Sequence, residues 1–263
     1  MGKMLSAAAI EQYRRDGYWS PLRVVSPEEA ARYRARLESV ERGLGGPLRG
    51  VYRIKPHLLF TWLADLVRHP AVLDAVEDVI GPDILCWNSS FFTKEAESPG
   101  YVSWHQDATY WGLSEPDVVT AWVAFTESTP RNGNMQVIPG SHRSQAAHVD
   151  TFHPDNLLSR GQEIAVEVDE SQAADIVLAP GEMSLHHVLI VHGSRPGARP
   201  RRLRALRPRA GAGRRPPSGR AGPPRRRQRP AGEDSLPGHR AHELLSARPR
   251  DYPSTRRRPG MSR

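Results

Sequence analysis

Cysteine is almost absent. A single Cys86 in 263 residues excludes an internal disulfide framework and any zinc site built from several thiolates. Set in Ile84-Leu85-Cys86-Trp87, it is expected to pack in a core. Long apolar runs are missing too, so no segment is suited to crossing a membrane as a helix. The apolar stretch nearest the start, Ala7-Ala8-Ala9-Ile10, is too short for a secretory signal, and Glu11 follows at once. The expectation is a cytoplasmic protein with no membrane partner. Helix-turn-helix, zinc-finger and aromatic-interleaved basic signatures are lacking, so no specific nucleic-acid partner is expected.

Lysine and acidic residues are scarce in one region. From Arg195 to Arg263 there are 21 Arg, no Lys and four acids. The formal net charge of +8 for the whole chain is therefore a sum of two unlike parts. Residues 1–194 carry −9 and the remainder +17. Strand periodicity is absent after Pro196, and Arg, Pro, Gly and Ala dominate to the end. Such a composition buries too little apolar surface to offset its ordering entropy. The division expected is a folded domain over 1–196, lacking its last strands, and a disordered tail over 197–263. The abrupt change resembles a GC-rich gene read in a shifted frame. A genuine basic tail would instead bind nucleic acid electrostatically, without sequence preference.

What is present is chemistry-bearing and compact. In Ser103-Trp104-His105-Gln106-Asp107-Ala108-Thr109-Tyr110-Trp111, His105 and Asp107 are two apart. On a β-strand that spacing puts both side chains on one face. One more histidine would complete a 2-His-1-carboxylate triad, the ligand set of non-haem Fe(II) oxygenases. Three histidines compete for the place. His192 ends a second apolar run, Leu189-Ile190-Val191-His192-Gly193-Ser194. His187 and His192 are five apart, so on an ideal strand they face opposite sides. His186 and His192 share a face only if the strand is unbroken. One ligand pair early, strands between and a last histidine late is the order a jelly-roll β-barrel requires.

Helices come first. Ser6 caps a helix that ends at Gly17. Ser26-Pro27-Glu28-Glu29 opens another, running to Gly43. Residues 51–55 suit a strand, and 62–67 and 71–80 suit amphipathic helices stopped by His69-Pro70 and Gly81-Pro82. Strand patterns then take over at 84–93 and 118–126. Pro130-Arg131-Asn132-Gly133 predicts a hairpin turn, because Asn-Gly tolerates positive φ, with 135–138 as the returning strand. Residues 148–169 form a polar loop, and two short strands flank the turn at Pro180-Gly181.

Four motifs in order make the chain similar to the phytanoyl-CoA dioxygenase family. They are residues 103–111, then Thr120-Ala121-Trp122-Val123-Ala124-Phe125, then Asn132-Gly133-Asn134-Met135-Gln136-Val137-Ile138-Pro139-Gly140-Ser141-His142, then His192-Gly193-Ser194. The resemblance implies a mainly β fold with α decoration, a double-stranded β-helix (jelly-roll, cupin-like) core. It implies a dioxygenase using Fe(II), 2-oxoglutarate and O2 on a small-molecule substrate, in natural product biosynthesis or a related pathway. It favours His192 as third ligand and implies hydroxylation, since Asp107 fills the place that halogenases leave for chloride. Asn88, Lys94, Trp111 and Ser194 become cofactor or pocket candidates. The family arginine for the distal cofactor carboxylate falls at Leu203, leaving Arg202 and Arg204 as flanking substitutes. That departure raises an alternative, a catalytically impaired family member.

Overall fold

The structure, a computed structural model, describes residues 2–111, 115–159, 161–197 and 203–212. These belong to a unit spanning Met1–Pro217. The tail from 213 onward and Arg202 lie outside the described residues.

Local chemistry accounts for the helices. In α1 (Ala7–Asp16) the Ser6 side chain accepts from the Ala9 N–H, and Gly17 closes the helix at φ +80°, where a side chain would be strained. α2 (Pro27–Gly43) opens with a reciprocal capping box between Ser26 and Glu29. α3 (Thr61–Val67) and α4 (Pro70–Ile80) follow as the apolar spacing predicts. Residues 51–55 are not a strand: Gly50–Tyr52 is a 3-10 turn with Val51 70% exposed. The segment pairs with β2 through an isolated bridge, Ile54 to Ser90.

Eleven strands follow among the described residues: β1 (Tyr18–Arg23), β2 (Ile84–Lys94), β3 (Val102–His105), β4 (Val118–Ala124), β5 (Gln136–Val137), β6 (His148–Asp150), β7 (Gln162–Ile164), β8 (Ala174–Asp175), β9 (Glu182–His187), β10 (His192–Ser194) and β11 (Leu203–Ala212). A large antiparallel sheet has the order β1-β9-β4-β11-β2, and a smaller one β3-β10-β5-β8. β6 and β7 pair with each other, giving the long polar loop a short two-stranded ladder. The helices cover the outer face of the large sheet around Val119, Ala121, Val123, Leu185 and Leu206. Its inner face meets the small sheet around Phe92, Trp122, Ala124, Val137 and Leu203. This is the expected jelly-roll sandwich. Alternation along β4 feeds both cores, and each large side chain so buried contributes about 1.5–3 kcal/mol.

Two further expectations need correction. The Asn132-Gly133 turn takes its positive φ at Gly133, +74°, but it closes no hairpin. β4 lies in the large sheet while β5 pairs with β10 and β8, so the turn carries the chain between sheets. Asn132 holds it, accepting from Thr129 N–H and donating to Glu127 O, both at 2.8 Å.

The second correction concerns the end of the domain. Strands do not stop at Pro196: β11 pairs with β2 along its whole length and with β4, and Leu203, Ala205 and Leu206 are fully buried. Its arginines are tolerated because each meets a counter-charge or an aromatic face. Arg204 pairs with Glu41 at 2.6 Å. Arg207 lies 4.9 Å from the centre of the Phe92 ring and Arg209 4.3 Å from that of Trp111.

Candidate metal centre

β3 ends at His105, and a 3-10 turn, Asp107–Tyr110, begins two residues later. His105 and Asp107 therefore meet through a strand end and a tight turn, not through strand alternation. His192 opens β10 directly opposite His105 in the antiparallel register. The two rings lie 4.1 Å apart, centroid to centroid, and His105 Nε2 is 3.6 Å from Asp107 Oδ1. One ligand atom from each of the three residues lies within 4.8 Å of the others, all buried.

The hydrogen bonds decide which atoms face the shared space. His105 Nδ1 lies 2.9 Å from Ser103 O and His192 Nδ1 3.0 Å from Ile190 O. A carbonyl only accepts, so each Nδ1 carries the proton and each Nε2 presents its lone pair. His105 Nε2, His192 Nε2 and Asp107 Oδ2 are buried without a hydrogen-bond partner. Each orphan costs about 1–3 kcal/mol in a folded interior. A divalent ion held by all three would offset that cost, and two imidazoles with one carboxylate are the donor set of a non-haem iron centre.

Electrostatics agree. Burial pushes the Asp107 carboxyl up, but the Arg209 guanidinium 3.7 Å away, with His105 and His192, holds it well below the usual carboxylate range. Burial and the neighbouring His105 hold His192 well below 6.5. At neutral pH the centre thus holds a carboxylate beside a neutral His192 imidazole, which suits a cation.

Gln106, between the first two ligands, was not signalled by the sequence reading. Fully buried, it donates to Ser144 O and Leu189 O at 2.8 and 2.6 Å and accepts from Ala146 N–H at 2.7 Å. It ties the ligand-bearing turn to two distant loops. Topology rather than spacing brings His192, and not His186 or His187, into the cluster with His105 and Asp107, because β9 and β10 belong to different sheets. His187 turns away and meets the His142 ring at 5.2 Å. His186 faces inward, its ring 5.4 Å from that of His192, and burial pushes its pKa down to about 3.

The other candidates divide. Ser194 sits two residues beyond His192, its Oγ buried and unpartnered. A cavity of about 320 Å³ opens beside it, lined also by Val102, Trp104, Gln136, Glu170 and Arg195. Lys94, 3% exposed, donates from Nζ to Arg195 O at 2.6 Å, and burial pushes its pKa down to about 7. Asn88 lies opposite Arg209 with its Oδ1 buried and unpartnered. Trp111 packs edge-on to Trp87, centroids 5.0 Å apart. Leu203, at the family arginine's place, is part of the inner core. Arg204 does not replace it: neighbouring residues on a strand face opposite sides, and Arg204 turns to α2 and Glu41. Arg207 and Arg209, which the sequence reading passed over, are the β11 arginines that face inward.

The sequence profile of the phytanoyl-CoA dioxygenase (PhyH) family matches residues 13–203. A probable alpha-ketoglutarate-dependent hypophosphite dioxygenase of Stutzerimonas stutzeri is 31% identical over 147 residues, 54% of this chain and 50% of that protein. The chain spans about half the length of such curated relatives. Among solved structures, the non-heme monooxygenase ThoJ in its apo form superposes with a TM-score of 0.69 at 32% identity, over 78% of this chain and 77% of that one. CytC3 with Fe(II) and alpha-ketoglutarate superposes with a TM-score of 0.58 at 27% identity, over 80% and 78% of the two chains.

Proposed function

The chain belongs to the phytanoyl-CoA dioxygenase family, and from that premise we propose that it is a non-haem Fe(II)/2-oxoglutarate-dependent dioxygenase that hydroxylates a small-molecule substrate in secondary metabolism. The observation that carries this reading is the set of three buried ligand atoms without a hydrogen-bond partner on His105, Asp107 and His192. When bound, iron and 2-oxoglutarate supply the activation of O2 for attack on an unactivated C–H bond. The chain's own residues supply the rest. His105, Asp107 and His192 would hold the ion. The Nδ1–H bonds to Ser103 O and Ile190 O keep both imidazoles in the coordinating tautomer. Lys94 and Ser194 are the groups for the cofactor's distal carboxylate, at the end of the sandwich where Leu203 withholds a charge. Trp111, packed on the Arg209 that pairs with Asp107, is placed to screen that side of the centre from water. Retention of Asp107 favours hydroxylation over halogenation.

The test is turnover of 2-oxoglutarate to succinate by the purified chain supplied with Fe(II), ascorbate and O2. Slow succinate release without added substrate is expected, with its loss in His105→Ala. Succinate release that persists in that variant would defeat the proposal.

A further inference from the structure

Two rows of side chains cross the inner face of the large sheet. In the first, His186, Thr120, Arg209 and Asn88 are successive register partners on β9, β4, β11 and β2. In the second, Ser184 lies opposite Trp122, and Arg207 opposite Ser90. Their direction is set by alternation: Leu185, Val119 and Leu206 beside them belong to the helix-side core.

These rows lack what buried polar groups need. Both nitrogens of His186, the hydroxyls of Thr120, Ser184 and Ser90, Nε of Arg207 and Arg209, and Oδ1 of Asn88 are buried without a hydrogen-bond partner. Buried polar atoms are almost always satisfied, so a cluster of this size on one wall marks a place where a polar ligand completes the structure. The wall adjoins the triad, with Arg209 Nη2 3.7 Å from Asp107 Oδ2 and the His186 ring 5.4 Å from that of His192. Its charge is cationic, and the guanidinium groups lie over Phe92 and Trp111, 4.9 and 4.3 Å from the ring centres, contacts that restrict where their planar forks can go.

Lys94 lies elsewhere. It pairs with Leu203 at one end of the β2–β11 ladder, whereas Asn88 pairs with Arg209 towards the other. Six residues of strand separate Lys94 from Asn88, about 20 Å. The ladder thus carries two separate basic ends, of which the Arg209 end touches the triad. Resting on the oxygenase reading above, we propose that the Arg207–Arg209 end is the substrate site and takes a small molecule bearing an oxyanion, a carboxylate or a phosphorus oxyacid. The cofactor's distal carboxylate goes to the Lys94 end. Paired guanidinium forks match an oxyanion bidentately, and Thr120, Ser184 and His186 supply the neutral donors around it.

The test separates the two ends by binding rather than turnover. The full metal-free chain is titrated with sodium acetate and with sodium phosphite, following tryptophan fluorescence, since Trp111 lies against Arg209. Mn(II)-dependent 2-oxoglutarate binding is measured by calorimetry. Saturable quenching by at least one of the two anions is expected, and the one that binds identifies the oxyanion class. It should weaken at least tenfold in Arg207→Gln and stay unchanged in Lys94→Met. Binding of 2-oxoglutarate should show the reverse pattern. Arg209→Lys keeps the charge but loses the fork, so an intermediate loss is expected there, and it serves if Arg207→Gln does not fold. The proposal is overturned if neither anion saturates, if quenching is unchanged in both arginine variants, or if those variants weaken 2-oxoglutarate as much as Lys94→Met does. An arginine-dependent anion site in a chain that binds neither Mn(II) nor 2-oxoglutarate would sink the oxygenase reading and leave the anion site standing.

Discussion

Replacing Lys94 with methionine should stabilise the cofactor-free protein near neutral pH. Lys94 is 3% exposed, and its ammonium donates to a neutral carbonyl, Arg195 O. Burial pushes its pKa from 10.5 to about 7, so the folded chain holds this proton less tightly than the unfolded chain does. Between those two values the unfolded state binds more protons, and stability rises with pH. The cost is fully present below about pH 7 and fades as pH climbs towards the unfolded value. At about 1.4 kcal/mol for each tenfold in proton affinity, it is capped near 5 kcal/mol. Loss of the hydrogen bond returns about 1 kcal/mol, so a net gain of about 2–4 kcal/mol is expected for Lys94→Met at pH 6.5. Urea unfolding of both proteins at pH 6.5 and at pH 10 measures it. The gap should narrow sharply at the higher pH. A variant no more stable than the parent at pH 6.5, or a gap of equal size at both pH values, refutes the reasoning.

Other outcomes follow from the same geometry. His105→Ala should weaken Mn(II) binding at least about a hundredfold by calorimetry, since it removes a ligand and not merely a supporting hydrogen bond. His187→Gln should leave that affinity unchanged, because His187 packs on His142 away from the triad. Arg204→Met should cost about 3 kcal/mol in urea unfolding, as it strands the Glu41 carboxylate in a half-closed site. Mn(II) at about a hundred times its dissociation constant should add about 2.7 kcal/mol of stability, and a chelator should remove it; a melting temperature indifferent to both would count against the centre.

The candidate cluster was legible because its chemistry is carried by residue type: His105, Asp107 and His192, named as ligand candidates, do lie together. A histidine and a carboxylate two apart marked the pair, three late histidines stayed in competition for the third place, and the helices announced themselves through Ser6, Gly17 and the Ser26–Glu29 box. The geometry behind the pair was misread: a strand end and a 3-10 turn, not alternation, bring Asp107 to His105. Asn132-Gly133 showed a turn but not its destination, since local φ preferences say nothing of which sheet the next strand joins. β11 was hidden for a plainer reason. Its composition matches the arginine-rich run that follows it, and Pro208 stands inside it, a residue that gives no N–H to a ladder.

By itself the sequence determined which groups could hold an ion, where helices begin and end, and that a β sandwich would carry the ligands. Those properties reside in side-chain type and in spacings of a few residues. Only the tertiary structure decided that His192 rather than His186 or His187 meets His105, that Arg204 faces α2, and that Arg207 and Arg209 face the triad. Each of those outcomes depends on which strands become neighbours and in what register, and that is set by contacts between segments about a hundred residues apart.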